Sequence, residues 1–301
     1  MAHNFGGIDY HEKEAMPIRQ PAYAELLVDS EDRAPGQTPA NFTIYRNQAL
    51  LYGYFYRLAI TQLQLHWDMP TIVSDVNNKF EIVLSPGPGS TLVVIPEGYY
   101  TPTTLAAAIQ TAIQAAGGTF ATFTCAFNDL NGGFIINSGS AAQFTITAPN
   151  PTSSSYSLFR NTARSIGLTP PNYTTPAAIQ NLGSPGLLYT RYIDIISRNL
   201  TKYQRVKDSD TSATNVKSFI VARIYLSPSN SLIETTSTSG IGSKPFTLTI
   251  DYNTPKFIKY SPDEALNEID LQVLDEYGDQ LYWDGTAAAW EFAFSLYASE
   301  S

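Results

Sequence analysis

The last quarter of the chain is written in two-residue alternation. Phe246, Leu248, Ile250 and Tyr252 alternate with Thr247, Thr249 and Asp251. Ile269, Leu271 and Val273 alternate with Asp270 and Gln272, and Phe292, Phe294 and Leu296 close the chain. Successive side chains of a strand point to opposite faces, so each run predicts a strand with one buried and one solvated face. A chain made of such runs buries its apolar faces sheet against sheet.

The same signal opens the chain. Leu26 and Val28 alternate with Glu25 and Leu27, Phe42 and Ile44 mark a second strand, and Phe80, Ile82 and Leu84 alternate with Lys79, Glu81 and Val83. Between them, Tyr54–Trp67 changes parity: Leu58 and Ile60 share one face, but Leu63, Leu65 and Trp67 fall on the other. One extra residue near Thr61-Gln62, a β-bulge, would return all five to the same buried face. Ile193 and Ile195 flank Asp194, and Phe219–Leu226 is apolar at both parities, the pattern of a strand buried between two layers. Composition agrees: charged residues make up 15%, while Gly and Pro number 19 each, which favours short strands joined by turns. The two flanks hold about eight to ten strands, a number that suits a two-sheet sandwich of the jelly-roll kind.

The middle of the chain has a different character. Thr101 is placed to cap a helix with Pro102 at its first position, and Leu105, Ile109 and Ile113 form one apolar stripe that Gly117-Gly118 ends. A small strand, Leu92–Ile95, precedes it. Phe123, Cys125 and Phe127 lead through the turn Asn131-Gly132-Gly133 into Phe134 and Ile136, a hairpin signal. Phe144 and Ile146 add a strand, and a short helix around Leu158–Ile166 stops at Gly167. The reading is mainly β: a single jelly-roll sandwich with a small α+β insertion domain. Residues 1–21 form a flexible N-terminal arm, 22–85 and 189–301 the jelly roll, and 86–188 the insertion.

Catalytic, cofactor and metal chemistry find little support. Of the three histidines, His3 and His11 lie in the arm, and His66 has no Gly-X-Ser-X-Gly elbow to serve. Asp29, Glu31 and Asp32 match no calcium-loop spacing and have Arg33 as an internal counter-charge, so they read as a solvated loop or an intersubunit ion pair. Glu97 suits a helix start electrostatically. Pro86–Gly89 and Asn131–Gly133 lack a phosphate-loop lysine and read as turns. Tyr99-Tyr100 and Tyr52–Tyr56 could stack on a sugar, though strand aromatics more often belong to a core. Cys125, the only cysteine, reads as a small buried hydrophobe and excludes an internal disulfide. No catalytic, cofactor-binding or metal residue is assigned, and no cofactor is expected.

A net charge of −9 argues against broad phosphate contact, hence against specific nucleic-acid binding. No apolar run approaches the ~20 residues that span a bilayer. The N-terminus lacks the basic and apolar regions of a signal peptide, so the sequons at Asn41, Asn172 and Asn199 read as chance matches in a cytosolic product.

A series of short motifs carries a resemblance. Ser30–Arg33 is an acidic-Arg step, Phe42–Ile44 a Phe-X-Ile strand, and Asn77–Phe80 an Asn-Asn-X-Phe step. Pro96–Thr101 starts the helix, Ala163–Leu168 is similar to a Leu-Gly-Phe element, and Leu274–Trp283 with Phe292–Leu296 ends the chain. In this order they resemble the minor capsid (penton) proteins of virophages and Polinton-like viruses, nearest in pattern to the mavirus type. Glu97, inserted between Pro96 and Gly98, and Leu168 in place of a Phe depart from that pattern. The resemblance implies a virion protein assembled in the host cytoplasm. It would form a homopentamer at the five-fold vertices of an icosahedral double-stranded DNA virus, beside the major capsid protein. Major capsid proteins of this lineage carry two jelly rolls, and one set of strands in 301 residues implies the penton instead. The alternative is a β-sandwich binding module whose insertion recognises a glycan or a host-surface ligand. An enzyme is a distant third.

Overall fold

A computed structural model describes residues 23–45, 50, 55–87, 89–147, 162–168, 174–202, 219–226, 245–260, 265–282 and 290–300. The proposed arm, Asn172, Trp283 and most of Tyr52–Tyr56 lie outside these residues. The first flank contributes β1 (Tyr23–Asp29), β2 (Asn41–Tyr45) and β3 (Arg57–Trp67). The middle holds β4 (Lys79–Ser85), β5 (Ser90–Val94), α1 (Pro102–Gln114), β6 (Thr124–Asn128), β7 (Gly133–Asn137), β8 (Gln143–Thr147) and β9 (Ile179–Asn181). The second flank adds β10 (Tyr192–Ile196), α2 (Arg198–Thr201), β11 (Ile220–Tyr225), β12 (Phe246–Asp251), β13 (Ile258–Lys259), β14 (Glu268–Leu274) and β15 (Trp290–Ser299).

The flanks form two antiparallel sheets, ordered β1-β15-β3-β12, with β13 also on β3, and β11-β10-β14-β2. Counted one to eight along the chain, leaving out β13, the two sheets read 1-8-3-6 and 5-4-7-2. Nearly every connection crosses between sheets, and the first and last strands lie side by side. The fold is a jelly roll. Leu63, Leu65, Phe292, Phe294 and Leu296 from one sheet meet Phe42, Ile193, Ile195, Ile269 and Leu271 from the other in a single buried cluster. Phe42 and Phe292 touch across the gap with ring centroids 5.8 Å apart.

The parity change in β3 is a bulge. Opposite β15, Gln62 pairs with Ser295 and Ile60 with Leu296, so Thr61 is the extra residue. Leu58, Ile60, Leu63, Leu65 and Trp67 all enter the core as a result. A second bulge corrects the reading of β11. This strand pairs only with β10 among the described residues and is a sheet edge, not a strand buried between layers. Ile195 pairs with Ala222 and Ile196 with Ile220, which leaves Val221 extra. The bulge brings Val221, Ala222 and Ile224 into one core and produces the apolar run at both parities.

The middle segment builds its own core. Thr101 and Thr104 form a reciprocal capping box at the start of α1, and Leu105, Ile109 and Ile113 are buried. They pack with Phe80, Ile82, Val93, Phe123, Phe134 and Phe144 in a cluster distinct from that of the jelly roll. Strand β4, grouped with the jelly roll on alternation alone, pairs here with β5 and β8, and Phe80 and Ile82 lie in this second core. The hairpin is β6–β7, with β9 on the outer side of β7. The whole segment occupies the connection between β3 and β10.

Candidate interaction surfaces

Among the described residues nothing covers the outer face of the β1-β15-β3-β12 sheet. Its cross-strand rows run Leu27–Ser295–Gln62–Asp251, then Asp29–Ala293–Gln64–Thr249, then Glu291–His66–Thr247. His66 therefore stands on the solvent face while its neighbour Trp67 enters the core, as alternation requires. The His66 Nδ1 is 3.2 Å from the Thr247 hydroxyl oxygen. A shallow cleft of about 240 Å³ joins His66 to Asp29, Glu31, Gln64 and Glu291, with Phe292 and Ala293 as its remaining wall. That lining includes no hydroxyl or thiol nucleophile. Burial, then the charge and hydrogen bond of Glu31, raise the Glu291 carboxyl above its ordinary range, and His66 and Arg33 oppose this.

The acidic loop is organised by backbone bonds. Asp29 accepts from the Glu31 amide at 2.9 Å, and Arg33 donates to the Ser30 carbonyl at 2.7 Å. Ser30 is fully buried and its hydroxyl accepts from the Phe292 amide at 3.0 Å, which ties the loop to β15. Among the described residues no group of three or more His, Cys, Asp or Glu converges on a position that could hold a metal ion.

The insertion's predicted contact residues are mostly in internal use. Tyr99 bonds the Asp68 carboxylate and, at 2.7 Å, the Asp68 carbonyl. Burial and the Asp68 carboxylate push its hydroxyl well above the usual phenol range. The Tyr100 hydroxyl donates to the Pro96 carbonyl at 2.9 Å, and its ring packs on the insertion core. Neither offers a free ring-and-hydroxyl platform for a sugar. Glu97 accepts from the Ser74 amide at 2.9 Å. Cys125 is buried, and desolvation pushes its thiol up to about 12. It is a core residue.

The strand edges of the insertion differ in how they are finished. Gln110 and Gln114, one turn apart on α1, reach the free edge of β6: Gln110 accepts from the Cys125 amide at 3.0 Å and Gln114 donates to the Phe123 carbonyl at 2.8 Å. The free edge of β8 is met by Thr174 and Ala177. The free edge of β5 has no such cover among the described residues. Its outward side chains, Leu92 and Val94, are 56% and 47% exposed. Ser90–Val94 carries no charge, whereas natural edge strands are commonly blunted by charge or cover.

Two polar nodes, which alternation and spacing could not reveal, join insertion to jelly roll. At the first, the buried Asn77 side chain accepts from the Val73 amide at 2.6 Å and donates to the Thr71 carbonyl at 2.9 Å and the Ser165 hydroxyl at 3.1 Å. This gives the Asn-Asn step a physical role. At the second, Glu276 in the β14–β15 connection has a side chain only 2% exposed and pairs with Arg164 of the insertion and Arg191 at the start of β10. The sequence places Glu276 only within the closing Leu274–Trp283 motif, and its partner Arg164 is 112 residues away.

No protein-family model matches the chain, and no curated protein matches it. Among solved structures, the chain is similar to the mavirus penton protein, at 9% identity with 93% of this chain and 99% of that one covered, TM-score 0.47. It is also similar to a chain of the Sputnik virophage structure, at 11% identity with 94% and 98% covered, TM-score 0.40. No helix of the described residues is long and apolar enough to cross a membrane.

Proposed function

We propose that this chain is a capsid protein, the penton that forms a homopentameric ring at the five-fold vertices of an icosahedral double-stranded DNA virus, beside the major capsid protein. The observation that carries the reading is the single jelly roll with its entire α+β excursion in one connection, between β3 and β10. That architecture offers an open sheet face and strand edges for lateral contact, where an enzyme of this size needs a cleft with convergent reactive groups. The motif series from Ser30 to Trp283 supports the same reading from the sequence alone. Residues 1–21 and the Asp29–Arg33 loop would grip neighbouring subunits. Quantitative mass spectrometry of purified particles should find the chain at well below the abundance of the main shell protein. Deleting residues 1–21 should lower its incorporation while the soluble body stays folded. Absence from particles, or incorporation at the level of the main shell protein, would refute the vertex assignment.

A second role is supported by the bare β5 edge: the insertion would bind a host-surface protein by strand addition, in which main-chain bonds supply affinity and alternate side chains specificity. Particles carrying Leu92→Pro, which removes an outward-facing amide, with Val94→Lys should assemble normally and attach poorly to host cells. Unchanged attachment would remove this role and leave the capsid reading intact.

A further inference from the structure

The insertion and the jelly roll have separate apolar cores, with Ile72 and Leu187 packing into one and Val73 and Leu188 into the other. Their relative orientation is therefore decided at the joint. There, a carboxylate from the jelly roll is buried against a guanidinium from the insertion. The Arg164 stem passes over Gly186, where an added Cβ would lie 2.6 Å from its Nε. The Arg164 carbonyl accepts from the Gly186 amide at 2.8 Å, so its backbone is fixed to the returning chain as its side chain is fixed to Glu276. Glu276 is itself held from the jelly-roll side. Its amide donates to the Thr190 hydroxyl at 3.2 Å and its carbonyl accepts from the Tyr192 hydroxyl at 3.2 Å. The two arginines are unequal: the Arg164 side chain is 21% exposed and the Arg191 side chain 72%. Arg191 also belongs to the same unit as Glu276, so its pair crosses no joint.

We propose that the Arg164–Glu276 pair is a latch that fixes the insertion's orientation on the jelly roll, and that breaking it frees the insertion to swing without unfolding either core. A buried pair that loses one member leaves an uncompensated charge, which is why one contact can dominate a joint between two separate apolar cores. The charged and titratable groups around the latch are Arg191, Tyr192, Asp275, Tyr277 and Asp279.

The test uses the full chain in three variants: Arg164→Met, which keeps the stem; Glu276→Gln, which keeps the shape; and Arg191→Ala. Spin labels at Leu130→Cys and Thr249→Cys, in a Cys125→Ala background, report the distance between insertion and jelly roll. Breaking the latch should broaden that distance distribution in Arg164→Met and Glu276→Gln and leave it narrow in Arg191→Ala. Amides of residues 162–168 and 182–186 should exchange about 100-fold faster in the first two variants, while those of β3 and β15 keep their protection. An unchanged distribution in Arg164→Met would overturn the proposal. So would equal broadening in Arg191→Ala, or exchange that rises equally through β3 and β15, because the pair would then be an ordinary stabilising contact.

Discussion

Deleting Thr61 would put the register argument under direct strain. In the folded chain Thr61 is the residue that β15 skips, and its carbonyl accepts from the Tyr252 amide at 2.9 Å. Without it, Leu58, Ile60, Leu63, Leu65 and Trp67 fall on one parity with no bulge, Ile60 and Gln62 become neighbours opposite Leu296 and Ser295, and all five keep their places in the core. Were Thr61 instead a regular member of the ladder, its loss would turn outward either Leu58 and Ile60, now 0% and 5% exposed, or Leu63, Leu65 and Trp67. At about 1.5–3 kcal/mol for each large apolar side chain, the cheaper of those exposures would cost about 3–6 kcal/mol. The skipped residue predicts a smaller loss, about 1–2 kcal/mol for the Tyr252 amide that loses its acceptor. The control is Thr61→Ser, which keeps the residue count and should cost under about 1 kcal/mol. Urea unfolding followed by tryptophan fluorescence reads both, because Trp67 and Trp290 lie in the jelly-roll core. A deletion variant that loses about 3 kcal/mol or more would refute the reading of Thr61 as the residue the register skips.

Other consequences follow from single residues. Asn77→Ala takes the acceptor from the buried Val73 amide and should cost about 3 kcal/mol, measured by urea unfolding; a loss below about 1 kcal/mol would contradict its place as a node. Gly167 has φ of 73°, and an added Cβ would lie 2.0 Å from the Gly183 carbonyl oxygen, so Gly167→Ala should cost about 4 kcal/mol or more. Burial raises the Asp275 carboxyl to about 6, against the pull of backbone amides from Tyr277 and Asp279, with Asp279 and Glu276 adding to the rise. The sign follows: the folded state holds this proton more tightly than the unfolded one, so the contribution is full below about pH 4 and is lost as pH rises through about 6. Asp275→Asn should therefore match the parent near pH 4 and exceed it by about 2 kcal/mol at pH 7; a gap that does not change with pH would contradict this.

Local rules carried the sequence reading a long way. The Thr101–Pro102 start of α1, the Asn131–Gly133 hairpin turn and the extra residue at Thr61 each follow from interactions within a few positions, and the structure holds all three. Alternation gives a strand's faces but not its partners. For that reason β4 looked like one more jelly-roll strand, although Phe80 and Ile82 serve the insertion core. The same limit made the bulged edge strand β11 look buried on both sides. The joint was least legible. Arg164 and Glu276 carry no local pattern, and Tyr99, which looked available for stacking, is engaged by a carboxylate 31 residues earlier.

The most direct test of the capsid account is the mass and symmetry of the purified full chain, by native mass spectrometry and negative-stain imaging across concentration and salt. The account predicts closed rings of five copies. A discrete assembly of another order, such as a stable trimer, would contradict it.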